Sequence, residues 1–273
     1  MDMKRLEQTL KGKARWPRHG WVEVPDESGL ACFVMPFLGR ATQKHEGLKE
    51  KGDPAAETLW GAYDDFRQRL ILFIKSLQLF HNSLKPSPPP HDFAEEHVLL
   101  DAVLCEFSCA ADSLAGLVYA LFEEVEPPHG RRYRRRFTTL RNGASTWSIS
   151  CPRPETRRLV EALKGNTDWY DRAKKLRNDR THEKSWISGL SDREGGVWVN
   201  LNVQAPAGVR KYSINDQLQE AAFGLFGFLE KITPSAPKPD WLDHCVLGSG
   251  MGGYPTTFPA GPWLEQLVPR LIP

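Results

Sequence analysis

Long apolar runs are missing from this 273-residue sequence. A helix that spans a membrane needs about 20 consecutive apolar residues, and no run of about 18 or more occurs here. The start of the chain is charged, with Lys4 and Arg5, and lacks the apolar stretch of a secretory signal. We therefore expect a cytoplasmic protein with no membrane partner.

Cysteine and clustered metal ligands are also scarce. The five cysteines are odd in number and scattered, which argues against a disulfide framework. Cys105 and Cys109 lie one helical turn apart in an apolar stretch, so we expect two free core thiols rather than half a metal site. His244 and Cys245 have no second pair at metal-ligand spacing, and the glycine-rich segment 248–253 lacks the lysine of a phosphate-binding loop. The sequence therefore predicts neither a metal nor a cofactor.

Apolar periodicity predicts two long helices. From Asp53, a suitable capping residue, and Pro54, apolar residues recur at alternating steps of four and three as far as Phe80. A proline-rich segment at 85–90 ends this helix, and a wide apolar stripe predicts a second helix over 91–124. Helices joined by so short a link are expected to pack antiparallel.

The rest of the chain predicts shorter elements. Apolar runs around turn residues predict β-hairpins near 21–35 and over 195–214. Before residue 154 we expect a polar stretch with Asn142-Gly143 as a turn. Further helices are predicted over 155–164, from 166 or 167 to about 178 or slightly beyond, and over 216–231, the last with Asn215 or Ser213 as its cap.

These elements predict a mainly α fold, an antiparallel helical bundle with two small β-hairpin additions and an irregular C-terminal tail. A chain of 273 residues has room for one such domain with additions. We expect an N-terminal extension over 1–52, a helical domain over 53–232 with the hairpin 195–214 inserted, and a proline- and glycine-rich tail over 233–273.

Positive charge is concentrated in the middle of the chain. The net charge of +2 hides a segment, 127–184, with 16 basic and 6 acidic residues. Such a segment can bind phosphate or can face acidic helices, and charge alone favours neither. Within it, the cluster 131–136 places Tyr133 among arginines. Arg134 and Arg135 could follow an RNA backbone there, and a solvated loop is the alternative.

One short helix in the basic segment has an apolar face and several polar faces. Trp169, Ala173 and Leu176 share one side and can anchor the helix to the long pair. Lys174 and Arg177 then lie on neighbouring sides. This helix is therefore predicted to be held by its apolar residues while it presents cations.

The end of the same helix combines groups suited to RNA chemistry. If the helix continues past Asn178, this residue and His182 lie one turn apart, so the amide could hydrogen-bond the imidazole and fix its tautomer. Arg177 supplies a permanent planar charge that suits a phosphate, and a histidine titrates near neutrality. Together these groups have what metal-free RNA cleavage requires.

The six residues from Arg177 to His182 resemble the signature of the HEPN superfamily, which is an arginine, a polar residue, three variable residues and a histidine. The resemblance extends over 53–232 and implies a helical domain with a long antiparallel pair. For catalytic members it implies a metal-independent endoribonuclease, commonly a homodimer with facing motifs, in toxin–antitoxin or antiviral defence. RNA and an inhibitor or antitoxin protein are the implied partners.

Carried over by this resemblance, Arg177 would bind the scissile phosphate and His182 would transfer a proton. Asn178 would orient the histidine. Lys174, before the motif, and Arg180, within it, are expected to bind RNA together with the arginines at 134 and 135.

Two other functions remain open. One is a non-catalytic helical module that binds RNA, a nucleotide or a partner protein through the same basic groove. The other is a structural bundle in which Arg177 pairs with an acidic residue of the long helices and His182 is an ordinary helix-end cation. Arg40 and His45 repeat the spacing of the motif, but alanine follows the arginine and no periodic helix is predicted around them.

Overall fold

The computed structural model describes residues 22–25, 30–34, 36–84, 93–122, 125, 136–150, 153–165, 167–193, 196–232 and 257–259. The chain divides into two compact units. The first unit comprises 1–68, 111–166 and 226–273, and the second comprises 69–110 and 167–225.

The described chain is mainly helical, as the sequence predicts. Its helices are α1 (Pro36–Glu50), α2 (Ala55–Ser83), α3 (Ala94–Leu121), α4 (Phe137–Ser150), α5 (Pro154–Gly165), α6 (Asp168–His182) and α7 (Ile214–Ile232). Its strands are β1 (Val22–Pro25), β2 (Leu30–Val34), β3 (Lys184–Arg193), β4 (Gly196–Ala205), β5 (Gly208–Ser213) and β6 (Thr257–Pro259). They form two antiparallel sheets of three strands, in the orders β1-β2-β6 and β3-β4-β5.

The two predicted long helices are confirmed as α2 and α3. The backbone N–H of Ala55 donates to the Asp53 carboxylate at 2.9 Å, so Asp53 caps α2 as predicted. In the second unit, Phe73 of α2 meets Phe107 of α3 edge to face at 5.4 Å. The antiparallel bundle and its HEPN likeness stay predictions. No helix in the described part of the chain is long and apolar enough to cross a membrane.

In the first unit, the predicted polar stretch with a turn at Asn142-Gly143 is wrong. Residues 137–150 form α4, whose buried positions include Phe137, Leu140 and Trp147. The N–H of Phe137 donates to the Asp112 carboxylate at 2.9 Å, which caps the helix from a distant part of the chain. Gly143 is a packing residue here, because a Cβ on it would lie 2.5 Å from the Trp147 ring.

The N-terminal strands also agree with the predicted hairpin, since β1 and β2 pair antiparallel. Strand β6, from the predicted tail, adds to β2. Helix α1 was not predicted, and it carries Arg40 and His45 of the second arginine–histidine pair. The His45 side chain is buried beside Trp60, with ring centroids 5.0 Å apart.

In the second unit, the predicted hairpin over 195–214 is part of a larger sheet. Strands β4 and β5 match it, and β3 pairs with the other side of β4. The register of β3 shifts between Ile187 and Gly189, and this irregularity hides the strand from an alternation pattern. Asn215, one of the two predicted caps of α7, instead binds the β4 backbone. Its side-chain oxygen accepts from the Val199 N–H and its side-chain nitrogen donates to the Val197 carbonyl, each at 2.9 Å.

The two neighbouring cysteines of α3 are less buried than the predicted core thiols. Both are free, but Cys105 is exposed and Cys109 is only partly buried. Burial and the neighbouring Cys105 raise the pKa of the Cys109 thiol.

Candidate functional site

Helix α6, which carries the predicted motif, is anchored by its apolar side. Trp169, Ala173 and Leu176 are buried, as predicted. The Trp169 ring meets Phe107 of α3 edge to face, with centroids 5.7 Å apart. A Cβ on Gly224 would lie 2.0 Å from the Trp169 ring, so α7 can approach α6 only because this residue is glycine.

The last turn of α6 is tied to the sheet through Asp179, which was not among the predicted site residues. Its side chain is 11% exposed. It accepts hydrogen bonds from the Lys175 ammonium at 2.9 Å, from the Arg210 guanidinium at 2.9 Å and from the Tyr212 hydroxyl. These four residues form what we call the Asp179 cluster. Asp179 follows the buried Leu176 by three positions, so the helix period places it near the buried side of α6. An acidic residue at such a position indicates a buried polar contact.

Electrostatics within the Asp179 cluster favour an ionised carboxylate. Burial acts to raise the pKa of Asp179, but hydrogen bonds from Tyr212, Lys175 and Arg210 outweigh it and hold the pKa below its ordinary value. Burial and the bond to Asp179 raise the pKa of Tyr212, so this phenol keeps its proton as the donor. The cluster therefore joins α6 to β5 through a charged acceptor.

Arg180 is held in a second set of contacts inside the second unit. Its side chain is 8% exposed and pairs with Asp101 of α3, with Nε to Oδ1 at 2.5 Å. It also donates to Ser185 Oγ at 2.7 Å and to the His97 carbonyl at 3.0 Å. In the structural-bundle alternative, Arg177 was predicted to pair with an acidic residue of a long helix. Arg180 makes such a pair instead, with Asp101 of α3. With these groups bound, its guanidinium has little capacity left for RNA.

The motif residues themselves face outward. Arg177, Asn178 and His182 are exposed, and His182 is the last residue of α6. Within the described part of the chain, no hydrogen bond or ion pair engages any of these three side chains. The expected bond from Asn178 to the His182 ring is therefore not formed. Arg177 and His182 are separated by about 140° around the helix, because five steps of about 100° lie between them.

The other predicted RNA-binding residues are placed only in part. Lys174 is exposed on α6, with its ammonium 5.9 Å from the centroid of the Tyr170 ring. Arg134 and Arg135 lie outside the described residues. Among the described residues, no group of three or more His, Cys, Asp or Glu side chains could hold a metal ion.

Comparisons with known proteins add nothing to this geometry. No protein-family model, curated protein or solved structure matches the chain.

Proposed function

We propose that this protein is a metal-independent endoribonuclease of the HEPN type, acting in a toxin or antiviral defence role. One observation carries the proposal. Arg177 and His182 are exposed without side-chain partners in the described chain, whereas Asp179 and Arg180 between them are firmly bound. The intervening residues fix the helix, and the side chains of Arg177 and His182 stay available for a ligand.

The reaction is internal attack of a ribose 2′-hydroxyl on the adjacent phosphorus. A bond from the 2′-oxygen to phosphorus forms, and the bond from phosphorus to the 5′-oxygen breaks. The 2′-hydroxyl gives up a proton and the leaving 5′-oxygen gains one, so the products are a 2′,3′-cyclic phosphate and a 5′-hydroxyl. An imidazole such as that of His182 can perform either transfer, and a guanidinium such as that of Arg177 stabilises the charge on the phosphorane.

A homodimer fits this chemistry better than a single chain. Two proton transfers need two groups on opposite sides of the phosphate, and one chain offers one motif histidine. The angle of about 140° between Arg177 and His182 around α6 also separates the two side chains. Two facing motifs would supply the second histidine and bring an arginine to the phosphate. Asn178 is assigned the role of orienting His182 once RNA is bound.

A non-catalytic RNA-binding module is the second candidate. It is favoured by the missing bond between Asn178 and His182, since a general base usually has a partner that fixes its tautomer. Arg177, Lys174 and the neighbouring cations would then bind phosphate without cleaving the chain.

Incubation of the purified protein with mixed cellular RNA in excess chelator tests both candidates. His182→Ala and Arg177→Ala are compared with the wild type, and Arg158→Ala, an exposed arginine of α5, is the charge-matched control. The nuclease proposal predicts cyclic phosphate ends with the wild type and the control, and loss of at least about 100-fold in the motif variants. Intact RNA in all samples, with binding retained, would replace the nuclease by the binding module.

A further inference from the structure

The sheet β3-β4-β5 has one face covered by protein and one face open. Cross-strand pairing places Ser185, Val203 and Arg210 on one side, and the adjacent Lys184, Gln204 and Val209 on the other. The first side packs inside the second unit, because Arg210 and Tyr212 bind Asp179 of α6. We call the opposite side the outer sheet face. Its described side chains include Lys184, Trp186, Trp198, Asn200, Asn202, Gln204, Val209, Lys211 and Ser213.

Burial confirms this division of the sheet. Val199, Leu201 and Val203 are buried on the covered side of β4. Asn200 and Gln204, which alternate with them, are exposed. The outer sheet face is therefore solvent-facing at Lys184, Asn200, Gln204 and Lys211, and half-buried at Trp198, Asn202 and Ser213.

Trp186 is the unusual residue of this surface. Its side chain is 37% exposed, and no aromatic ring of the described chain stacks on it. Tryptophan is costly to leave in water, and an exposed one on a rigid strand often serves recognition. Here the ring lies in one cross-strand row with Asn202 and Lys211.

The charges around Trp186 have one sign. Lys184 and Lys211 are exposed, and neither pairs with a carboxylate in the described chain. None of the outer-face residues named above is acidic. Asn200, Asn202 and Gln204 supply amide donors and acceptors between the cations.

We infer that the outer sheet face binds single-stranded RNA, with a base stacked on Trp186 and phosphates contacting Lys184 and Lys211. Stacking platforms flanked by cations are the general means by which sheets hold single strands, since every base has a π-face. The side-chain amides can reach base edges, which are accessible only in unpaired RNA. A protein partner would instead call for an apolar centre, and here Trp186, Trp198 and Val209 lie in three different cross-strand rows among polar groups.

Spacing on the sheet suits several nucleotides. Trp186 and Lys211 stand two strands apart, about 9.6 Å, and Lys184 lies about 6.6 Å along β3 from Trp186. The surface also begins beside the motif, because Lys184 follows His182 by two residues and their Cα atoms can be at most about 7 Å apart. An RNA strand on this face can therefore continue to His182, an extension that rests on the proposed function.

Binding is tested with a fluorescent single-stranded RNA of twelve nucleotides carrying 2′-O-methyl groups, which cannot be cleaved by 2′-oxygen attack. Fluorescence anisotropy gives Kd for the full-length wild type and for Trp186→Ala, Trp186→Phe and Lys211→Gln. Lys164→Gln, an exposed lysine of α5, is the charge-matched control. A melting curve for each variant checks the fold.

We expect Trp186→Ala to weaken binding by at least about five-fold and Trp186→Phe to retain most of it, because phenylalanine still stacks. Lys211→Gln should reduce the slope of log K against log salt by about 0.7, while Lys164→Gln leaves it unchanged. Equal affinity for a duplex, no binding by the wild type, or wild-type affinity in both Trp186→Ala and Lys211→Gln would overturn the inference. Because the probe resists cleavage, failure here is distinct from failure of the nuclease, which the chelator assay with His182→Ala reports separately.

Discussion

The Asp179 cluster gives the sharpest test of how α6 is held. We expect Asp179→Asn to lower the free energy of unfolding by about 2 kcal/mol. A hydrogen bond to a charged acceptor contributes about 1.5–3 kcal/mol, and the Tyr212 hydroxyl makes such a bond to the buried carboxylate. The side chains of Lys175 and Arg210 are 53% and 41% exposed, so water screens their ion pairs and each adds little.

A double-mutant cycle isolates the central bond. Tyr212→Phe alone should cost about 1.5 kcal/mol. The loss in the double variant should be about 1 kcal/mol smaller than the sum of the two single losses, because both substitutions remove the same hydrogen bond. Thermal melting followed by circular dichroism is the assay, and a loss of about 2 kcal/mol corresponds to roughly 4–8 °C in Tm for a chain of this size.

The pH dependence of Asp179→Asn follows from the lowered pKa of Asp179. An aspartate in the unfolded chain titrates near about 3.9. A carboxyl whose pKa is lower in the folded state contributes stability that is present above that value and lost as pH falls through the folded pKa. The Tm difference between the wild type and the variant should therefore hold from pH 7 to about 4 and narrow below it. A pH-independent difference, or additive losses in the cycle, would refute the reasoning.

Two further predictions concern packing around α6. Gly224→Ala should destabilise the protein by about 2 kcal/mol, because the new methyl would lie 2.0 Å from the Trp169 ring. Gly227→Ala should stabilise α7 by about 0.5–1 kcal/mol, because a Cβ there has no atom within 4 Å. Equal Tm values for the two variants would contradict this. Arg180→Gln should lower the free energy of unfolding by about 2 kcal/mol and Asp101→Asn by less than about 1 kcal/mol, because the arginine side chain is 8% exposed and the aspartate side chain 59%. Urea denaturation measures both losses, and the reverse order would count against the assigned contacts.

Local pattern was sufficient for the main helices. The four-and-three spacing after Asp53 predicts α2, and the buried face of Trp169, Ala173 and Leu176 predicts α6. In these segments the side chains that pack are spaced by the helix period itself, so a single sequence carries the signal. The placement of Arg177 and Asn178 away from the apolar face follows from the same period. Their role in RNA cleavage remains a proposal.

Other features depend on residues far apart in the chain. In the segment that forms α4, Asn142-Gly143 predicts a turn, because this pair is common in turns. The structure has a helix there, since Asp112 caps its first N–H and Gly143 gives space to the Trp147 ring. Strand β3 lacks clean alternation and is specified by pairing with β4. In both cases a distant partner supplies free energy that local propensity lacks.

The sequence by itself therefore determined the long helices and the placement of Arg177 and Asn178 away from the apolar face of α6, since both depend on a period of 3.6 residues. Tertiary structure alone decided that Asp179, rather than Asn178, is bound to other side chains, and that Trp186 shares an open face with Lys211. These juxtapositions join residues separated by 25 or more positions, and only the packing of α6 and β4 against β5 brings them together.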